Sequence, residues 1–241
     1  MIVLLRIYQI LIMIPLMVVL TILTSLLVGG GSICFGGRWW GYYPAVIWAR
    51  LMTWLSLVRV SVRGRENISR GTSYVFVANH QGAYDIFAIY GWLGHNFKWM
   101  MKKSLRKIPM VGYACYKAGH IYVDRGSTAG IRETMKTAES RLSHGMSVVV
   151  FPEGSRSADG AVHAFKRGAY MLATEFNLPV VPVTIDGAFA VMPRQARLPR
   201  PGHITITIHR PIEASADGHD LQTLMQQSRD AIIAGLEHGN K

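Results

Sequence analysis

A histidine and an aspartate stand five positions apart in Asn79-His80-Gln81-Gly82-Ala83-Tyr84-Asp85, directly after the apolar run Tyr74-Val75-Phe76-Val77-Ala78. Five residues of regular helix turn through about 500°, so a single helix would set the two side chains on different faces. A buried strand that ends near His80, turns at Gly82 and enters a helix near Tyr84 or Asp85 would fold the carboxylate back onto the ring. An imidazole held in one tautomer by an acid is what a general base requires. The same residues also suit a plainer arrangement, an aspartate capping a helix beside a hydrogen-bonded histidine that does no chemistry. The segment alone leaves both open.

A second polar group follows another buried strand, Ser147 to Phe151, in Phe151-Pro152-Glu153-Gly154-Ser155-Arg156-Ser157. Gly154 lets the backbone approach a ligand. Ser155 and Ser157 offer hydroxyls, and Arg156 offers a planar donor fork that matches phosphate. Lys166 and Arg167 come about ten residues later, at the expected start of a helix whose first amides also favour an anion. A polar loop with a surface arginine is the alternative.

The elements that must position these groups follow from the pattern after Gly64, where strands and helices alternate. Strands are expected at Val58 to Val62, Tyr74 to Ala78, His120 to Val123, Ser147 to Phe151, Val180 to Ile185 and Ile204 to Ile208. Helices are expected at Asp85 to about Leu93, Ala129 to Leu142, Phe165 to Phe176 and Asp220 to Leu236. Ile131, Met135, Ala138 and Leu142 share one helical face, and Gly145 follows it. Pro182 predicts a bulge or an edge position for its strand. Such alternation implies an α/β fold, a mostly parallel mixed sheet covered by helices, with sites beyond the carboxyl ends of the strands. Both chemical segments begin at such ends.

The N-terminal quarter is different. No charged residue occurs from Ile7 to Val28, a run long enough for a bilayer core of about 20 residues, with Pro15 as a kink. Its length argues against a signal peptide. Gly29-Gly30-Gly31-Ser32 reads as a flexible break. The stretch Trp39 to Leu57 is apolar, aromatic and interrupted by Arg50, which suits an interfacial or re-entrant helix, with a core helix as the alternative. Residues 1–57 thus form an expected membrane-anchoring helical hairpin, and residues 58–241 an α/β domain. Arg38, Arg50, Arg59, Arg63 and Arg65 follow the first segment and Arg6 alone precedes it. That bias puts the domain on the cytoplasmic face of the cell inner membrane.

The 241 residues carry a formal charge of +12. This favours anionic partners such as phospholipid, phosphorylated substrates or acyl-carrier protein. Nucleic acid is disfavoured, because the basic residues are scattered and the aromatics cluster in the apolar segments. Cys34 and Cys115 have neither metal nor disulfide spacing, fit a reducing compartment and read as packing residues. No metal ligand set is visible.

Four blocks in order resemble the 1-acylglycerol-3-phosphate O-acyltransferase (lysophosphatidic acid acyltransferase) family. They are His80 with Asp85 as H-x4-D, Gly119-His120-Ile121-Tyr122-Val123-Asp124-Arg125, Phe151 to Ser157, and Val180-Val181-Pro182-Val183. Ser155 stands where threonine is commoner. The resemblance implies a glycerolipid acyltransferase fold and transfer of an acyl group from acyl-CoA or acyl-carrier protein to lysophosphatidic acid, making phosphatidic acid without a cofactor. By it, His80 is the base and Asp85 its orienting partner. Glu153, Gly154, Ser155 and Arg156 form the acceptor site, and Arg125, Lys102 or Lys103, and Lys166 contact its phosphate. Pro182 belongs to the acyl side. Other acceptors, or hydrolysis of the thioester, remain open within the same chemistry.

Overall fold

The computed structural model describes residues 2–123, 128–142, 146–214 and 221–236. The chain opens with helices α1 (Ile2–Tyr8) and α2 (Ile14–Phe35), joined by a π-helical turn Gln9–Met13 into one rod. Helix α3 (Tyr43–Leu55) returns along it. Strands β1 (Val58–Arg63) and β2 (Val75–Ala78), helix α4 (Asp85–Trp92) and strand β3 (Phe97–Lys102) follow. A 3₁₀ turn, Lys103–Lys107, leads to helix α5 (Val111–Lys117), strand β4 (Ile121–Val123) and helix α6 (Thr128–Arg141). Strand β5 (Ser147–Val150), helix α7 (Gly168–Glu175), strand β6 (Val180–Asp186) and the short helix α8 (Ala188–Val191) come next. Strand β7 (Gly202–Ile208) and helix α9 (Leu221–Ala234) complete the order.

The seven strands form one sheet in the order β1-β7-β6-β2-β5-β3-β4, with every pairing parallel except β6 with β7. This is the mostly parallel mixed sheet that the alternation predicted. Successive side chains of β2 face opposite layers. Phe76 and Ala78 pack with Ala49 of α3 and with Ala88 and Ile89 of α4. Val75 and Val77 pack with Ala138 of α6, Leu172 of α7 and Leu224 and Ile232 of α9. Of the α6 face expected from the sequence, Met135, Ala138 and Leu142 meet this second layer; the Ile131 side chain and Gly145 lie outside the described residues.

Of the two positions expected for Pro182, the structure shows the bulge and not the edge. Strand β6 lies between β2 and β7, with Pro182 opposite Val77. Its carbonyl accepts from the His209 amide at 3.0 Å, while Val180 pairs with Ile212. Two positions on β6 therefore face three on the partner chain. The missing proline donor falls at this irregularity, where β7 has ended, and costs no ladder bond.

The three-glycine tract is not a break either, since α2 runs through it to Phe35. A Cβ on Gly31 would lie 2.4 Å from the Trp40 ring, and one on Gly29 would touch Tyr113. Gly31 thus admits a close neighbour, and the tract continues the helix in place of a hinge. Pro15 follows the π-turn, whose widened backbone accommodates a residue with no amide to donate.

The rod meets the rest of the molecule along its length. The Tyr8 hydroxyl donates to the Leu55 carbonyl at 2.9 Å, and Gln9 Nε2 to the Pro199 carbonyl at 2.8 Å. Trp48 Nε1 donates to Thr21 Oγ1 at 3.1 Å, and Val28 packs with Ala114 and Ala118. Its other side exposes Ile10, Leu11, Val18, Leu23, Leu26 and Ile33. Helix α3 is also two-sided: Ala45, Ala49 and Met52 enter the core, while Ile47 and Trp54 are exposed. One face of the Trp39 to Leu57 stretch thus belongs to the core, and the other is apolar and exposed.

His120 is buried between Tyr90 and β3. Its Nδ1 accepts the Trp99 amide at 3.1 Å, which leaves Nε2 to donate to the Tyr90 hydroxyl at 2.8 Å. Burial, with a smaller contribution from Lys98, pushes this imidazole down to about 3, from an ordinary value of 6.5. Below pH 6.5 only the unfolded chain takes up this proton, so folding stability falls as the pH drops toward 3. The expected slope is about 1.4 kcal/mol per pH unit from this one group. Urea unfolding from pH 7 to 4.5 checks it, and His120→Gln should flatten the curve.

Candidate active site

The strand-to-helix turn after β2 closes on one oxygen. Asp85 is the first residue of α4 and fully buried. Its Oδ2 accepts from His80 Nδ1 at 2.7 Å, from the Gln81 amide at 2.7 Å and from the Gly82 amide at 2.9 Å. A carboxylate with two amides already aimed at it takes the ring proton on Nδ1, which leaves Nε2 as the basic nitrogen. Gly82 is required by close approach, because a Cβ there would stand 2.4 Å from the Ala188 carbonyl.

The backbone of His80 is fixed as firmly as its ring. Its amide donates to Glu153 Oε1 at 2.9 Å and its carbonyl accepts the Ser157 amide at 2.7 Å. Phe151 stacks on the imidazole with centroids 4.0 Å apart and planes 9° apart, and Trp99 stacks behind Phe151 at 5.3 Å. Three rings, from just after β2, just after β5 and from within β3, thus form one stack. The His80 side chain keeps 14% of its surface exposed, so the ring is accessible from the open side.

Glu153 differs from the expectation of a ligand contact. Its two oxygens are turned inward onto backbone amides, those of His80 and of His163, the latter at 3.2 Å. Burial pushes this carboxyl above its ordinary value, against the pull of those two bonds. In this geometry Glu153 locates His80 and the following loop. Gly154, at φ +82°, turns the chain outward in the left-handed region. Gly154 and Ser155 are exposed and Arg156 is half-buried. Ser157 faces back, donating to Asp159 Oδ1 at 2.7 Å and accepting the Gly160 amide at 2.9 Å.

Lys102 is the exposed last residue of β3, whose carboxyl end points the same way as those of β2 and β5. Lys166 is exposed and precedes helix α7 instead of starting it. Its amide donates to the Pro152 carbonyl at 2.9 Å, Phe165 is buried, and the helix begins at Gly168 with Arg167 as its cap. Arg125 lies outside the described residues. Cys115 is half-buried, with its thiol pushed by burial up to about 11, consistent with packing.

Two contributors escaped sequence reasoning. Asn79 was quoted only as a flank, yet it is buried and bonds both backbone groups of Ile185 on β6, Nδ2 to the carbonyl and Oδ1 from the amide, each at 2.8 Å. Phe151 reads from the sequence as a strand end and the head of the Phe151 to Ser157 block, with no sign that its ring covers His80. A polar residue directly after four apolar strand positions was the available signal for Asn79; nothing in the sequence foretold the ring stack.

A solved structure of similar shape exists. The 1-acyl-sn-glycerophosphate (LPA) acyltransferase PlsC from Thermotoga maritima superposes with a TM-score of 0.73 at 25% identity, covering 92% of this chain and 98% of that one. Fold and site thus define an α/β protein of the acyltransferase class. The chain belongs to the acyltransferase family, whose model matches residues 59–186. Among relatives, the chloroplastic 1-acyl-sn-glycerol-3-phosphate acyltransferase LPAT1 of Arabidopsis thaliana is 32% identical over 198 residues, 81% of this chain and 54% of that protein. The alpha enzyme of Mus musculus is 31% identical over 181 residues, 73% and 63% of the two. The chain spans little more than half the length of such relatives.

Removing the shared acceptor should cost the fold as well as the site. Asp85→Ala strands one ring donor and two amides in a buried position, and is expected to lower stability by about 2–4 kcal/mol. Chemical denaturation of the variant beside the wild type checks this.

Proposed function

We propose that this protein transfers a fatty acyl group from an acyl thioester, acyl-CoA or acyl-carrier protein, to the sn-2 hydroxyl of 1-acylglycerol-3-phosphate, forming phosphatidic acid. The observation that carries the proposal is the 2.7 Å bond between His80 Nδ1 and Asp85, which leaves Nε2 basic beside the loop bearing Arg156. The names of the similar proteins support lysophosphatidic acid as the acceptor.

In the proposed reaction His80 Nε2 takes the hydroxyl proton as the oxygen attacks the thioester carbonyl. Asp85 holds the ring and stabilises the imidazolium. The tetrahedral adduct collapses by breaking the carbon–sulfur bond, and the imidazolium returns the proton to the leaving thiolate. Base catalysis of this kind contributes about 10²–10⁴ in rate. The thioester is already activated, so the scheme uses no protein nucleophile, metal or further cofactor. Arg156 pairs with the acceptor phosphate, with Lys102, Lys166 and Arg125 as further cations. Glu153 acts by positioning His80, and Gly154 and Ser155 shape the rim.

The proposed location is the cytoplasmic face of the inner membrane. The apolar rod Ile2–Phe35 holds 34 residues, about 50 Å of helix against a hydrocarbon core of about 30 Å. Its contacts at Tyr8, Gln9, Thr21, Val28 and Gly31 keep both halves of the rod against the molecule. That favours a helix lying along one leaflet with its apolar side in lipid over a perpendicular span. A lysolipid then meets His80 without leaving the bilayer.

The purified protein, labelled acyl-CoA and a panel of lysolipids test the proposal. Wild type should yield phosphatidic acid and little free fatty acid. His80→Ala should lose at least about 10²-fold in kcat while still folding and binding vesicles. Unchanged turnover in that variant removes His80 from the mechanism. Arg156→Ala should raise KM for phosphate-bearing acceptors about tenfold or more and spare neutral ones; equal losses on both would count against its phosphate role.

A further inference from the structure

The crossover from β3 to the parallel strand β4 is built around an unusual turn. Met110 has φ +59° and ψ −54°, and the Val111 amide donates to the Pro109 carbonyl at 2.6 Å across it. This is a three-residue γ-turn of the rare, strained hand, occupied by a residue that is not glycine. The turn is rigidly supported. The Gly112 amide donates to the Ile108 carbonyl at 2.8 Å, the Tyr122 hydroxyl donates to the Gly112 carbonyl at 3.0 Å, and the Arg106 guanidinium lies 4.1 Å over the Tyr116 ring. What this frame holds outward is apolar: Leu105, Ile108, Met110, Tyr113 and Tyr116 are all exposed. Interleaved with them are Lys103, Arg106, Lys107 and Lys117, and no acidic residue occurs from 102 to 117.

Strain spent on keeping Ile108 and Met110 in water is favourable only where something covers them. The chemistry selects the cover. Apolar tip, tyrosine flanks and an all-cationic surround match an anionic bilayer surface, where each cation contributes about 1 kcal/mol and tyrosine prefers the head-group level. Helix α5 packs on the second half of α2, where Val28 meets Ala114 and Ala118. Strand β3, which leads into this crossover, ends at Lys102, on the sheet edge that carries His80.

We propose that the segment 103–117 is a second, independent membrane contact, whose Ile108–Met110 tip enters the head-group layer of an anionic phospholipid bilayer and fixes the site edge against it. This rests on the membrane location proposed above and adds to it a contact made by the catalytic domain itself. Lipid selectivity is then set here, by charge, while the uncharged stretch of the rod supplies apolar attachment.

The test uses the full chain with Cys34→Ser and a single new cysteine carrying an environment-sensitive fluorophore, either Ile108→Cys at the tip or Leu26→Cys on the rod. Both positions are solvent-exposed, so neither change disturbs packing. The remaining Cys115 is half-buried. Vesicles are phosphatidylcholine alone or with phosphatidylglycerol, each with brominated acyl chains as quencher. The rod label should be quenched in both vesicle types and the tip label much more strongly in the anionic one. Lys107→Gln and Lys117→Gln should each weaken the tip response about fivefold while leaving the rod response unchanged. A tip label that stays in water while the rod label is quenched overturns this inference and leaves the anchor standing. If neither is quenched, the membrane location falls and takes this inference with it. A tip shift that grows with protein concentration in lipid-free micelles assigns the segment to a second copy instead, which also overturns it.

Discussion

One carboxylate oxygen organises the site. Asp85 Oδ2 gathers a ring nitrogen and two amides, and that convergence dictates where β2 must stop and α4 must begin. A buried negative charge is tolerable there because three donors and a helix N-terminus face it. The buried carboxylate gains its partners only if the turn closes, and the turn closes only if residue 82 has no side chain to strike the Ala188 carbonyl. The rest of the candidate site is added to this knot. Glu153 and Ser157 hold the two backbone groups of His80, Phe151 covers one face of its ring, and the loop carrying Arg156 is thereby tied to the same residue.

Much of this was legible before any coordinates. The spacing of His80 and Asp85 after a four-residue apolar strand defines a strand-turn-helix, and the alternation of elements defines the sheet. What sequence reasoning misjudged or left open shares a cause: the deciding partner is remote in sequence. The glycines at 29–31 look flexible until Trp40 and Tyr113 are placed against them. Pro182 leaves bulge and edge undecided until the strand opposite is found to be irregular at that level. Glu153 looks like a ligand group until both of its oxygens are found on backbone amides. Local pattern specifies an element and its faces; it does not specify which neighbour fills the space beside a given atom.

The apolar N-terminal quarter and the catalytic half are not joined as a tail to a body. Lys98 is buried on β3 and donates to the Gly37 carbonyl at 2.8 Å, and Asn96 donates to the Arg38 carbonyl at 3.0 Å. The turn between α2 and α3 is thus clasped by the strand that ends at Lys102. At the other end Gln9, itself buried, reaches the loop at Pro199. Burial of polar groups at both junctions makes their geometry specific, since each would be left unpaired if the rod shifted.

Asn79 gives the catalytic turn a property unlike that of most loops. Its side-chain amide replaces a missing rung between β2 and β6, binding both the carbonyl and the N–H of Ile185. The residue next to the proposed base is therefore stitched into the middle of the sheet, not left on a mobile surface. Solvent deuterium should reach the Ile185 amide only through cooperative opening of the whole sheet, so the kinetic protection of that single proton reports how long the adjoining imidazole stays in register.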